Sequence, residues 1–277
     1  RLAAANGIKT TILGFSFNNN PSQEAVLALR ELPSETIINI RDPLSHARFI
    51  EHVNRDARLV ADTGFLLKPK DDSEIVLNVG RWVQEQRKQN RIILGLNLHP
   101  MLLTSNSGIS HDHLVTAGIK VVERALQENC SIILIPHDTR DKDGDARTLK
   151  PIFSALDEKQ RANVMYIEDP FGAQEAKAIC GFVDFVITGR MHLAIAALGM
   201  GKPVGCVTYQ DKFEGLIAHF QLDKSVLLSA GEFIDVNKAI EHFINILSTR
   251  EKNAQVIQKN LGRVLELAEL NLYGFIR

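Results

Sequence analysis

The chain lacks a charge excess of either sign: 32 Lys and Arg stand against 33 Asp and Glu. An extended nucleic-acid footprint needs a basic face, so that partner class is excluded and any anion site has to be local. Cysteine is scarce. Cys130, Cys180 and Cys206 lie in apolar segments without metal-ligand spacing, so they are expected to be buried thiols in a reducing compartment. No secretory signal occurs, and Lys202 interrupts the best candidate for a spanning run. The chain is therefore expected to be cytoplasmic, at most peripheral to the inner face of a membrane. No GxGxxG follows a strand, and neither a P-loop nor a GxSxG elbow occurs, which counts against dinucleotide redox, NTP hydrolysis and serine-hydrolase chemistry. Three histidines at strand or helix ends (His99, His137, His192) invite a zinc reading, but no HExxH or Cys pair supports one. No metal and no cofactor is expected.

What is present is a soluble, enzyme-like composition, 45% hydrophobic and 23% charged over 277 residues, enough for one large domain or two ordinary ones. Strand-like runs at 10–16, 36–40 and 58–61 alternate with helical runs at 22–32 and 44–54. A polar connector at 68–73 leads to a helix with Trp82. A second series then runs strand 92–98, helix 111–129, strand 132–136, helix 146–156, strand 164–167 and a short helix near 175–180. Continuous apolar runs such as IILGLNL and SIILIPH fit strands buried on both faces, and alternation with helices implies parallel sheets. The expected fold is α/β: two Rossmann-like lobes with parallel sheets facing a cleft. The expected division is a first lobe at 1–70, a second at 71–250, and a helix at 251–277 packing back on the first. Residue 1 is Arg and the first strand arrives almost at once, so the first lobe is expected to be incomplete.

The segment DFVITGRMHLAIAALGMGKPVGCVTY, 184–209, carries the most chemistry. It is a βαβ pattern whose first turn places Arg190 and His192 at a helix N-terminus. Ligands of open parallel sheets bind outside the carboxyl ends of the strands, and a helix start favours anions. Arg190 suits a phosphate or carboxylate, and His192 an acid or base; a surface arginine and a cap histidine are the plain alternative. Lys212, in the Tyr209-Gln210-Asp211-Lys212 stretch, could add a second cation or be a solvated first-turn lysine. Arg41 closes an apolar strand, whereas its neighbour Asp42, before Pro43, suits an N-cap. Asp62 in VADTGFLL suits loop stabilisation. His99 and His137 close two strands at the edge that His192 shares. The 138–145 loop is expected to be solvated, with Asp145 capping the next helix.

Taken together, ITGRMHLAIAALGMGKPVGCVTYQDKFEGLIAHFQL, NIRDPLSHARFI, LVADTGFLL and LIPHD with Asp145 after it resemble the polysaccharide pyruvyl transferase family, in family order from about residue 10 to 222. The resemblance implies a two-lobed GT-B-like fold and transfer of pyruvate from phosphoenolpyruvate to a sugar hydroxyl pair as a ketal. The acceptor would be a sugar or lipid-linked saccharide of a cell-surface polysaccharide or its precursor. By resemblance, Arg190, Met191 and His192 form the donor-binding triplet, with His192 the acid/base. Family members often carry Arg where this chain has His99. Their early Gly-Pro turn is Phe17-Asn18-Asn19-Asn20-Pro21 here, and their glycine-rich N-terminal segment has no counterpart in this chain. A GT-B-like transferase or epimerase using a nucleotide sugar, and a non-catalytic ligand-binding relative, are the competing expectations. Self-association is left open.

Overall fold

The computed structural model describes residues 2–103, 110–140, 144–209 and 211–273. Contacts divide the chain into two compact units. One comprises Arg1–Leu66, Asp211–Leu222 and Lys259–Arg277; the other comprises Leu67–Gln210 and Asp223–Gln258. The first unit thus takes residues 211–222, which a consecutive division of the sequence leaves with the second lobe.

In the first unit β1 (Thr11–Phe15), β2 (Ile37–Ile40) and β3 (Arg58–Leu59) form a parallel sheet in that order. Ile38 and Ile40 of β2 bury one face against Phe17, Phe49 and Val53. The helix Pro43–Val53 starts where expected: the Asp42 carboxylate accepts from the Ser45 N–H at 2.7 Å and Pro43 opens the first turn. It ends at Asn54, whose left-handed backbone (φ 52°) closes the C-terminus. Asn271 ties the last segment to this sheet, its amide oxygen accepting from Gly14 N–H at 2.7 Å and its nitrogen donating to Ala61 O at 2.8 Å.

In the second unit β4 (Ile92–Asn97), β5 (Cys130–Leu134), β6 (Val164–Tyr166), β7 (Phe185–Thr188), β8 (Val204–Thr208) and β9 (Leu227–Ser229) form a parallel sheet in the order β6-β5-β4-β7-β8-β9. Helices cover both faces of its central strands, so Leu94, Leu96, Ile132, Ile133, Val186 and Ile187 are all buried, as continuous apolar runs require. The chain moves outward from β4 in one direction and resumes at β7 in the other, which makes the β4–β7 junction the topological switch point.

The helix expected from residue 251 begins earlier and spans Val236–Glu269. Asp235 accepts from the Asn237 N–H at its start, and Ala239, Phe243, Ile246 and Leu247 continue the buried stripe toward the N-terminus. Strand β9, three half-buried or exposed residues, has no apolar run that would announce it. No helix among the described residues is long and apolar enough to cross a membrane.

Candidate active site at the switch point of the six-stranded sheet

Asn97 is the last residue of β4 and is fully buried, so both ends of its amide need partners. Its nitrogen donates to Ile135 O at 2.9 Å and to Asp145 Oδ2 at 2.7 Å; its oxygen accepts from the Thr188 hydroxyl at 3.1 Å. Thr188, at the end of β7, accepts in turn from the Arg190 N–H at 2.9 Å and so shapes the turn into the helix Met191–Gly199.

Asp145 is the hub. Its carboxylate is completely buried, yet Oδ2 also accepts from the main-chain N–H of His137 (2.8 Å) and Asp138 (3.2 Å), while Oδ1 takes two bonds from Arg190, from Nε at 2.9 Å and Nη2 at 2.6 Å. A buried charge is tolerated when paired and hydrogen-bonded in this way. The expected cap is absent: Asp145 occupies the N-cap position of Ala146–Ser154 with helical backbone angles and no side-chain cap bond, because Arg190 and Asn97 engage its oxygens. Residues 141–143 of the loop lie outside the described residues, but Asp138 at its start is not simply solvated. Asp138 is only 14% exposed and sits between Arg190 (3.1 Å) and Arg140 (2.6 Å). Hydrogen bonding from Arg140, against a modest effect of burial, holds its carboxyl down at about 2.

Arg190, expected as an anion-binding cation, thus spends Nε and Nη2 on two carboxylates and is 13% exposed; its Nη1 lies 3.7 Å from the Met101 sulfur. Met191 begins the helix and is half-buried. His99, expected among the ligand-facing residues, is completely buried instead. Its Nε2 donates to Gly189 O at 3.0 Å and its ring packs edge-on to Tyr209. Burial first, and Arg190 second, lower its pKa to about 4, so it supplies no positive charge near neutral pH. The rings of His137 and His192 lie nearly parallel, 18° between planes and 6.4 Å between centroids, with His137 half-buried and His192 exposed.

The remaining expected residues lie in the first unit. Arg41 donates to Asp62 Oδ2 (2.7 Å) and to Ser16 Oγ (2.8 Å), and the second Asp62 oxygen accepts from Gly64 N–H, stabilising the loop. Lys212 opens the helix Lys212–Phe220; burial and then the nearby Arg41 charge push its ammonium pKa down. Gln210 lies outside the described residues. No cluster of His, Cys, Asp or Glu among the described residues could hold a metal ion.

Sequence reasoning missed Asn97, Thr188 and Asp138 as parts of this cluster. Asn97 had a signal, since a polar residue inside LGLNL must find buried partners. Asp145 stands in the family motif, but nothing local announces its bonds to Asn97 and Arg190, which are remote in sequence.

The sequence profile of the polysaccharide pyruvyl transferase family matches residues 1–211. The chain belongs to the polysaccharide pyruvyl transferase family. No curated protein matches it. Among solved structures, Burkholderia xenovorans α,α-trehalose-phosphate synthase (UDP-forming) with glucose-6-phosphate is similar at 12% identity and a TM-score of 0.55, over 99% of this chain and 68% of the other. S. aureus MnaA in a co-structure with UDP is similar at 11% identity and a TM-score of 0.61, over 99% and 72%. Neisseria meningitidis UDP-GlcNAc 2-epimerase bound to UDP-GlcNAc is similar at 12% and 0.59, over 99% and 71%. These neighbours establish a GT-B-like fold.

Proposed function

We propose that this family member transfers pyruvate from phosphoenolpyruvate to two hydroxyls of a saccharide acceptor, forming a ketal on a cell-surface polysaccharide or its precursor. The observation that supports this best is the pairing of two imidazoles with the Asp145–Arg190 cluster at the carboxyl edge of the switch point. Phosphoenolpyruvate carries a phosphate and a carboxylate, and the N–H groups that open the helix Met191–Gly199 suit such anions. In the assignment we favour, His192 is the acid/base, Arg190 holds the turn and offers Nη1 to the donor, and His137 and Met191 line the same edge. The cations Arg41 and Lys212 of the first unit are assigned to an anionic substrate group.

Chemically, protonation of the methylene carbon makes C2 electrophilic, a hydroxyl adds there, phosphate departs with the C–O electron pair, and the second hydroxyl closes the ketal. Isothermal titration with phosphoenolpyruvate and with a panel of nucleotide sugars tests the reading. Saturable binding of phosphoenolpyruvate is expected, with ketal formation abolished in His192→Ala and its unfolding midpoint unchanged. Binding confined to the nucleotide sugars would replace this reading with a GT-B-like glycosyl transferase or epimerase.

A further inference from the structure

Pyruvyl transfer needs a proton for the methylene carbon and must remove one from each attacking hydroxyl. A single imidazole would have to reverse its role at every step. Two stand at this edge. β5 runs out into His137, and β7 into the turn before His192; β4 lies between them and continues into Leu98 and His99, both fully buried, so the two rings meet across its end. Their carrier loops are fixed by one carboxylate, Asp145, which accepts the main-chain N–H of His137 and grips Arg190 two positions before His192.

We propose that His137 is a second proton-transfer residue, which takes the proton from the first attacking acceptor hydroxyl while His192 protonates the methylene carbon of phosphoenolpyruvate. This rests on the pyruvyl-transfer reading. Among the described residues, four charged or titratable groups act on the His137 ring: Asp145 and Asp138 from its own loop, Arg190 and His192 from the β7 turn. Burial lowers its pKa most strongly; Asp145 opposes that, His192 and Arg190 add to it, and Asp138 opposes. The neutral ring that results is the form a base requires.

The protons then balance. His192 gives its proton to the methylene carbon, and the first hydroxyl loses its proton to His137 as its oxygen bonds to C2. Protonated His137 passes that proton to the departing phosphate as the C–O bond breaks. The second hydroxyl adds to C2 and returns a proton to His192, and both rings regain their starting states.

The experiment follows phosphate release from phosphoenolpyruvate, offered with a panel of aryl hexosides whose hydroxyls are free, across a pH series. It compares wild type, His137→Ala and His137→Gln, with circular dichroism to verify folding and isothermal titration to measure donor binding. Turnover by His137→Ala is expected to fall about a hundredfold or more, with phosphoenolpyruvate affinity within about threefold of wild type, and added imidazole is expected to restore a good part of the rate. Turnover by either variant near the wild-type rate through the whole pH series overturns the inference. So does a loss matched by equal loss of donor binding and not rescued by imidazole. A wild-type protein that neither binds nor consumes phosphoenolpyruvate overturns the pyruvyl-transfer reading itself, and this inference with it.

Discussion

Asp145, itself completely buried, accepts five hydrogen bonds, two from Arg190 and one each from Asn97, His137 and Asp138. Replacing it by Asn removes the charge and leaves a buried guanidinium with Asp138 as its nearest counter-charge. Loss of one partner from a buried pair costs about 3 kcal/mol, so D145N is expected to lower the urea midpoint clearly and to weaken any activity carried by His137 or Arg190. Unchanged stability would show that the hub contributes nothing net. Asp42 marks the contrast. Its capping role follows from Pro43 and the apolar positions after it, all within one helical turn, and the structure shows the cap bond. Asp145 has equally plausible local surroundings, but its oxygens answer to residues 45 and 48 positions away.

Among the elements, the turn from β7 into the helix Met191–Gly199 is closely packed. A Cβ on Gly189 would lie 2.8 Å from Leu102 Cδ2 and 2.9 Å from His99 Nε2. Neither can yield easily: Leu102 is fully buried, and the His99 Nε2 is bonded to Gly189 O. Gly189→Ala is expected to cost about 2 kcal/mol through overpacking, visible in thermal unfolding, and to displace His99. The alternation of strands and helices was legible because doubly buried strands carry unbroken apolar runs and caps announce helix starts. Strand β9 and the early start of Val236–Glu269 were not, since three half-buried or exposed residues carry little pattern and an amphipathic stripe has no sharp beginning.

For the molecule as a whole, His99 and His242 couple stability to pH. Both are buried, each has one ring nitrogen without a partner among the described residues, and burial is the first cause that lowers each pKa from 6.5 to about 4. The unfolded chain therefore binds protons that the folded chain refuses. Stability is full above 6.5 and drains as pH falls toward 4, by on the order of 3 kcal/mol for each histidine. Urea titrations at neutral pH and near pH 4.5 check this. His242→Phe should retain more of its stability in acid than wild type, and a loss in acid identical to wild type would show that His242 takes no part.

By itself the sequence determined the α/β class, the parallel sheets, the GT-B-like expectation and the position of the Arg190–His192 turn. These rest on periodicity, caps and motif order, which are local properties of a chain. Only the tertiary structure decided what the charges do: that Arg190 is held by Asp145 and Asp138, that His99 is neutral and enclosed, and that His137 rather than His99 stands beside His192. Those outcomes depend on distances between residues far apart in sequence and on the exclusion of water from them, neither of which any local pattern encodes.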